Sequence, residues 1–225
     1  MASSDSFSNG RLPLLLQDIT SSDLMFFDAD TTFQDSTLQM AVEIYNEAQA
    51  LAKDGNHRKA CEEYASGLFI GRKVVQKLQE AALDENSSIT AEEEEEEEDD
   101  PRLALEWLIA TYLAMFQSRV ALGDWNKARA DAWAACNYAQ YSPNGSLGGD
   151  GMDARSFQLE LTVLSAMWTV CQNTNDKINE WQTLQSIQQL LKLPFPQSKV
   201  GSIGITREQV EDRLKVLKDE LEAKT

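Results

Sequence analysis

The stretch LGDWNKARADAWAA, residues 122–135, has the pattern of a tight turn between two helices. Apolar residues recur at helical spacing before it, Gly123 and Asp124 interrupt them, and a second helix-forming run starts at Trp125. Ala128 follows one turn later, where a small side chain allows two helix backbones to approach closely. The stretch therefore predicts an antiparallel helical hairpin.

An earlier part of the chain repeats this pattern. The stretch AQALAKDGNHRKACEEYASGL, which starts at Ala48, aligns with FQSRVALGDWNKARADAWAAC, which starts at Phe116, at a separation of 68 residues. Four positions correspond in residue type or chemistry: Gly55 with Gly123, Asn56 with Asp124, Lys59 with Lys127, and Ala60 with Ala128. Internal similarity of this kind is typical of helical repeat proteins.

The shared pattern resembles the tetratricopeptide repeat (TPR), in which two helices pack as an antiparallel pair around small residues. The first unit supplies Ala48, Gly55, Ala60, Tyr64 and Gly67, and the second supplies Gly123, Trp125, Ala128 and Ala135. Phe116 and His57 depart from the pattern, which has a small and an aromatic residue at these positions. Residues 153–193 have the length of a third pair, but their turn, NTND, is degenerate, so this pair is assigned by its architecture alone.

Helical periodicity and turn residues together predict about seven helices and no strand. The expected helices cover residues 38–52, 57–83, 101–122, 125–141, 153–171 and 176–193, with a last helix after Thr206. Thr206 and Gln209 have the spacing of a capping box. The resemblance implies an all-α fold in which about three TPR-like antiparallel pairs form a short right-handed solenoid with a C-terminal capping helix. The long second helix and the loop after it are also similar to the TPR domains of immunophilin-type co-chaperones.

Two polar segments interrupt the helical pattern. Residues 1–36 are rich in Ser, Thr and Asp and are expected to form a mostly disordered N-terminal arm before a helical domain over residues 37–225. Residues 84–100 are expected to form a disordered loop in that domain, because closely spaced like charges destabilise a helix. The loop contains an acidic tract: Glu92, Glu93, Glu94, Glu95, Glu96, Glu97, Glu98, Asp99 and Asp100. A solvated spacer and a binding element are both compatible with this tract.

Composition narrows the classes of partner. The 225 residues carry a formal net charge of −17, which disfavours nucleic acid and anionic membranes and is compatible with basic proteins. The three cysteines are too far apart in sequence to predict a disulfide framework or a metal site. No apolar run is long enough to span a membrane, and the N-terminus lacks the pattern of a signal peptide. The expected location is the cytoplasm or the nucleus.

Catalysis is not expected. His57 is the single histidine, and no nucleophile or orienting carboxylate lies near it in sequence. The sequence contains no phosphate-binding Gly loop, no zinc-protease motif and no nucleophile elbow. We therefore expect no enzyme activity, no cofactor and no metal.

In a stack of such repeats, the first helix of each pair lines a concave face, and the resemblance places a partner-binding groove there. The predicted groove residues are Tyr45, Gln49, Lys53, Leu113, Gln117 and Arg155. For Leu113, packing in the core is an equally good interpretation. Related domains that bind a terminal carboxylate use Lys and Asn side chains at the positions of Tyr45, Gln49 and Ala114. An apolar or basic ligand segment is therefore expected, since a carboxylate would stay unpaired.

These observations predict a non-enzymatic scaffold for protein–protein interaction, as an adaptor, assembly factor or co-chaperone that binds a peptide or helix. In the alternative interpretation, the acidic tract acts as a chaperone of basic proteins such as histones or ribosomal proteins. The apolar islands within residues 11–33 further predict that part of the arm docks onto the helical domain. A free tail that binds another molecule is the alternative for the arm.

Overall fold

A computed structural model of the protein describes residues 31–85, 99–140, 154–193 and 205–223. These residues form seven helices: α1 (Ser36–Lys53), α2 (His57–Glu85), α3 (Pro101–Ala121), α4 (Trp125–Gln140), α5 (Ala154–Asn173), α6 (Lys177–Leu190) and α7 (Arg207–Glu222). No strand is present in the four ranges. The predicted all-α class is confirmed for this part of the chain.

Side-chain caps fix where several helices begin. The Asp35 carboxylate accepts hydrogen bonds from two backbone N–H groups in the first turn of α1, and Asp100 accepts one at the start of α3. The predicted capping box of Thr206 and Gln209 is present at the start of α7. Each cap satisfies N–H groups that have no partner within the helix itself.

Three helical hairpins share one turn geometry. The central residue of each turn has a positive φ angle: 78° at Gly55, 72° at Gly123 and 55° at Asn175. In each turn the three successive N–H groups bond to carbonyls four, three and five residues earlier. The turn at Asn175, which has a degenerate motif in the sequence, therefore has the same backbone as the two Gly turns.

Helices that follow one another in the chain pack together, and α1 also contacts α3 while α3 contacts α5. Five residues after each positive-φ position lie Ala60, Ala128 and Glu180, and all three are buried. The first two hairpins thus have the small residue that the sequence predicts. The third has a carboxylate at the corresponding position.

Two hydrophobic cores share helix α5. The larger core is formed by α1 to α4 together with one face of α5, which includes Val163 and Met167. The smaller core is formed by the other face of α5, which includes Leu161 and Trp168, and by α6 and α7. Helix α5 therefore joins the two parts of the molecule.

The last residues of the expected N-terminal arm belong to the folded domain. Phe33 is buried in the larger core. The Asp99 carboxylate accepts hydrogen bonds from the backbone N–H of Gln34 at 2.6 Å and of Asp35 at 2.7 Å. The domain thus begins before the predicted boundary at residue 37, and the arm over residues 1–30 lies outside the described residues.

The ends of the expected acidic loop are also part of the fold. Helix α2 continues to Glu85, and Asp99 and Asp100 bind backbone N–H groups at the starts of α1 and α3. The prediction of a disordered loop over residues 84–100 is therefore wrong at both ends, because hydrogen bonds fix these residues. The tract residues Glu92 to Glu98 lie outside the described residues.

Candidate functional site

The structure separates the six residues predicted to line a groove. Tyr45 and Leu113 are only 4% and 1% exposed, so the prediction that they face a groove is wrong. The Tyr45 ring packs against Tyr64 of α2, with ring centroids 5.9 Å apart, and Leu113 belongs to the larger core. Burial raises the pKa of the Tyr45 phenol, whose oxygen accepts a hydrogen bond from Gln49 at 2.7 Å.

The other four predicted residues keep some exposure. Lys53 is exposed at the end of α1, and Gln49 and Gln117 are half-buried. Arg155, at the start of α5, forms an ion pair with Glu106 of α3 at 2.5 Å. None of the four lines either of the two pockets described next. Their part in binding a partner stays a prediction.

The first pocket is a cleft of about 190 Å³ formed by α4, α5 and α6, which we name the α4–α6 cleft. Its floor is α5, which supplies Glu160 and apolar side chains such as Val163 and Met167. Helix α4 supplies one wall with Trp133 and Cys136. The cleft is smaller than the roughly 300–1,000 Å³ of typical small-molecule sites. It has room for one side chain of a partner.

The opposite wall is a polar stripe on α6. Asn179, Gln182, Thr183 and Ser186 lie at helical spacing and all line the cleft. None of these residues is among those predicted to bind a partner, although the stripe is visible in the sequence as a periodic run of uncharged polar residues. Glu160 and Trp133 could not be assigned to the same site, because they join the stripe only through tertiary packing.

Glu160 is the acidic residue of the cleft. It makes no hydrogen bond or ion pair with another residue of the described ranges, and burial raises the pKa of its carboxyl to about 7. Burial also raises the pKa of the Cys136 thiol, and the nearby Glu160 carboxylate contributes to the same shift. A protonated thiol is a poor nucleophile. The cleft thus offers a carboxyl group for recognition.

The second pocket is an open depression of about 540 Å³ beside the turn at Gly123. It is lined by charged residues of α2, α3 and α4, among them Arg119 and Lys127. Arg119 pairs with the buried Asp131 at 3.0 Å, and Lys127 pairs with Asp124 at 3.2 Å. Arg58 also lines this depression, but the depression is open and its other two cations already have partners, so it is a weaker candidate than the cleft.

The described residues contain no group of three or more His, Cys, Asp or Glu side chains placed to hold a metal ion. None of the seven helices combines the length and the apolar character that crossing a membrane requires. Cys61, Cys136 and Cys171 form no disulfide, and burial raises the pKa of each thiol.

Comparison with known proteins gives no further assignment. The chain matches no protein-family model, no curated protein and no solved structure.

Proposed function

We propose that the protein is a non-enzymatic scaffold for protein–protein interaction, built from TPR-like helix pairs stacked in a short solenoid. The observation that carries the proposal is the shared turn of the three hairpins, with the same hydrogen bonds at Gly55, Gly123 and Asn175. The contacts of α1 with α3 and of α3 with α5 support a stacked arrangement. Repeats that stack in this way form extended surfaces for partners.

The chemistry of the α4–α6 cleft favours binding over catalysis. Its titratable groups are Glu160 and Cys136, and its other lining residues are apolar or neutral. Nucleophilic catalysis by a cysteine needs the thiolate, and burial raises the pKa of the Cys136 thiol, which disfavours it. A carboxyl group in an apolar pocket is suited to recognition of a complementary side chain. The partner in this proposal is a segment of another protein, in the cytoplasm or nucleus.

The test is to isolate a partner and then measure its binding with purified components. The full chain is immobilised, proteins that it retains from a cell extract are identified, and each is produced separately for calorimetry. We expect one partner to form a saturable complex whose affinity falls only a few-fold between low and moderate salt, because a charge pair within a cleft is screened much less than a series of exposed charges. If no retained protein binds the purified chain saturably, the proposal fails.

A second candidate function rests on the run of seven Glu residues at 92–98 and the net charge of −17. In it, the acidic tract is a chaperone for basic proteins such as histones or ribosomal proteins. Binding through exposed charges weakens steeply as salt increases. Replacing residues 86–98 by a Gly/Ser linker of equal length should abolish this binding and leave the fold intact. Asp99 and Asp100 must be kept, because their carboxylates accept hydrogen bonds from backbone N–H groups just before α1 and in the first turn of α3.

A further inference from the structure

The α4–α6 cleft is acidic in the part of the chain that the structure describes. Among the described residues that line it, Glu160 is the single charged group, and none is Lys, Arg or His. Glu160 lies on α5, the helix whose residues from Leu161 to Cys171 are all buried. The Glu160 side chain is half-buried, and a half-buried carboxylate without a partner loses part of its hydration, which costs free energy. A cation that enters the cleft would remove this cost.

The polar wall of the cleft presents acceptors. The Thr183 hydroxyl donates its hydrogen to the Asn179 carbonyl at 2.8 Å, and the Ser186 hydroxyl donates to the Gln182 carbonyl at 3.3 Å. The Asn179 amide group donates to Asp176 at 2.7 Å. The Ser186 hydroxyl oxygen and the amide oxygens of Asn179 and Gln182 can accept hydrogen bonds, and the two amides also keep N–H donors. A guest with several N–H donors therefore complements this wall.

The rest of the cleft suits an aliphatic chain that ends in a cation. Val163 and Met167 form an apolar floor against which the methylene groups of a long side chain can pack. Trp133 lines the cleft and is 38% exposed, and an indole ring is a favourable neighbour for a cation. The volume of about 190 Å³ admits one such side chain. A lysine side chain has the apolar stem, the compact charge and the three donors that these features require.

We infer that the α4–α6 cleft binds a lysine side chain of a partner protein, with its ammonium group paired to Glu160. This inference rests on the proposed function, because it names the residue type that the scaffold recognises. The partner segment is basic at this point, which agrees with the net charge of −17 on the chain. None of the residues that the sequence predicts for a groove lines the cleft.

The inference also gives the binding a pH dependence. The free carboxyl of Glu160 has a pKa of about 7, and only its ionised form attracts the ammonium group. The fraction ionised rises about tenfold between pH 6 and pH 8, so affinity should rise by about the same factor. Cys136 is the titratable group that faces Glu160 from α4, and the residues of α6 that line the cleft do not ionise.

The test uses short peptides with the full-length chain. The chain is labelled with ¹⁵N, the Trp133 indole signal is assigned with a Trp133→Phe variant, and acetyl-Ala-Ala-Lys-Ala-Ala-amide is titrated at pH 8. A peptide with norleucine in place of lysine is the uncharged control, and cadaverine represents a free amine. We expect the lysine peptide to shift the Trp133 signal and to bind at least fivefold more tightly than either control.

Two charge-removing variants sharpen the test. Glu160→Gln should bind the lysine peptide at least tenfold more weakly at pH 8 and lose the pH dependence. Glu47→Gln removes the same charge from an exposed position on α1 and should stay within twofold of the wild type. Circular dichroism shows whether both variants keep their helices. The Glu160→Gln protein is expected to fold, since the substitution removes an unpaired charge.

Three results would overturn the inference: no shift of the Trp133 signal, equal binding of the norleucine peptide, or unchanged binding by Glu160→Gln. Tighter binding of cadaverine than of the peptide would assign the cleft to a free amine and also overturn it. If a protein partner binds Glu160→Gln as tightly as wild type, the scaffold function stands without this site. If the lysine peptide binds as expected and no protein partner is found, the cleft stands and the proposed function fails.

Discussion

The second hairpin (α3 and α4) and the third (α5 and α6) have the same turn and different chemistry where their helices pack. Five residues after the turn, the second hairpin has Ala128 and the third has Glu180, and both are buried. Ala128 packs among the apolar side chains of the larger core. The same backbone arrangement is thus reached by close apolar packing in one pair and by a buried carboxylate in the other.

Three hydrogen bonds compensate for the burial of the Glu180 carboxylate. It accepts a hydrogen bond from the Trp168 indole of α5 at 3.1 Å. It also accepts two from the Arg213 guanidinium of α7, at 2.8 Å and 2.9 Å. The hydrogen bonds to Glu180 raise the pKa of the Arg213 guanidinium above its ordinary value. Glu180 thus also links α6 to α7 through Arg213, a role that Ala128 does not have.

The largest effect is expected when the apolar packing of the second hairpin is disrupted. Ala128→Trp places a large side chain at a position with no exposed surface, where overpacking costs about 3 kcal/mol or more of the free energy of unfolding. Urea unfolding followed by circular dichroism measures this loss. Ala130→Trp, at an exposed position on the same helix, is the control and should change stability by less than about 0.5 kcal/mol. Equal stability of the two variants would show that Ala128 is not in a packed interface.

The next effect concerns the polar packing of the third hairpin. Glu180→Ala should cost about 3 kcal/mol, because it leaves the Trp168 indole and the Arg213 guanidinium without their acceptor. A larger loss is not expected, since the Arg213 side chain is 31% exposed and can reach water. Urea unfolding followed by tryptophan fluorescence measures the loss.

A surface ion pair of α7 gives the matched control. Glu211 pairs with Arg207, and both side chains are more than 40% exposed, so Glu211→Ala should cost less than about 1 kcal/mol. A loss of similar size in the two variants would mean that Glu180 contributes no more than an exposed charge. The special role of the polar contact in the third hairpin would then be excluded.

The comparison also shows which features were predictable from the sequence. The helices were predicted because apolar residues recur at their spacing and because Gly55 and Gly123 mark two turns. The sequence predicts a turn at NTND but not that its backbone matches the two Gly turns, since Asn175 replaces Gly there. Glu180 was missed because its partners come from other helices. The burial of Tyr45 and Leu113 depends on how α1 and α3 pack, which their position in a repeat motif does not determine. The cleft was missed for the same reason, because three helices form it.

The joints between hairpins differ as well. The first hairpin meets the second through a close apolar contact: a Cβ atom at Gly71 of α2 would lie 2.5 Å from the Trp107 ring of α3. The second hairpin meets the third through apolar residues of α5 in the larger core and through ion pairs, between Arg129 and Asp176 at 2.7 Å and between Arg155 and Glu106. We therefore expect the first joint to be the more sensitive to added volume.

Gly71→Ala tests the apolar joint. It should cost about 2 kcal/mol, because Trp107 is buried and cannot move aside easily. Gly67→Ala, one helical turn earlier, is the matched variant: its Cβ would lie 3.3 Å from the nearest atom, so the cost should be smaller. Urea unfolding of both variants measures the difference. A variant at Gly71 as stable as the wild type would contradict the close contact.

The smallest effect is expected in the turns, where the hairpins are most alike. Asn175 has a φ of 55°, a conformation that Asn tolerates better than most residues and that Gly adopts freely. Asn175→Gly should change stability by less than about 0.5 kcal/mol, since relief of backbone strain is offset by the greater freedom of Gly in the unfolded chain.

The reciprocal change, Gly123→Asn, should cost less than Gly123→Ala, which we expect to lose about 1–2 kcal/mol. No atom lies within 4 Å of a Cβ built at Gly123, so these costs report the backbone conformation alone. For a protein of this size, a loss of 1 kcal/mol lowers the melting temperature by about 2–4 °C, which calorimetry resolves. If Gly123→Asn is as unstable as Gly123→Ala, the turns at Gly123 and Asn175 are not equivalent, and the three hairpins do not share one turn.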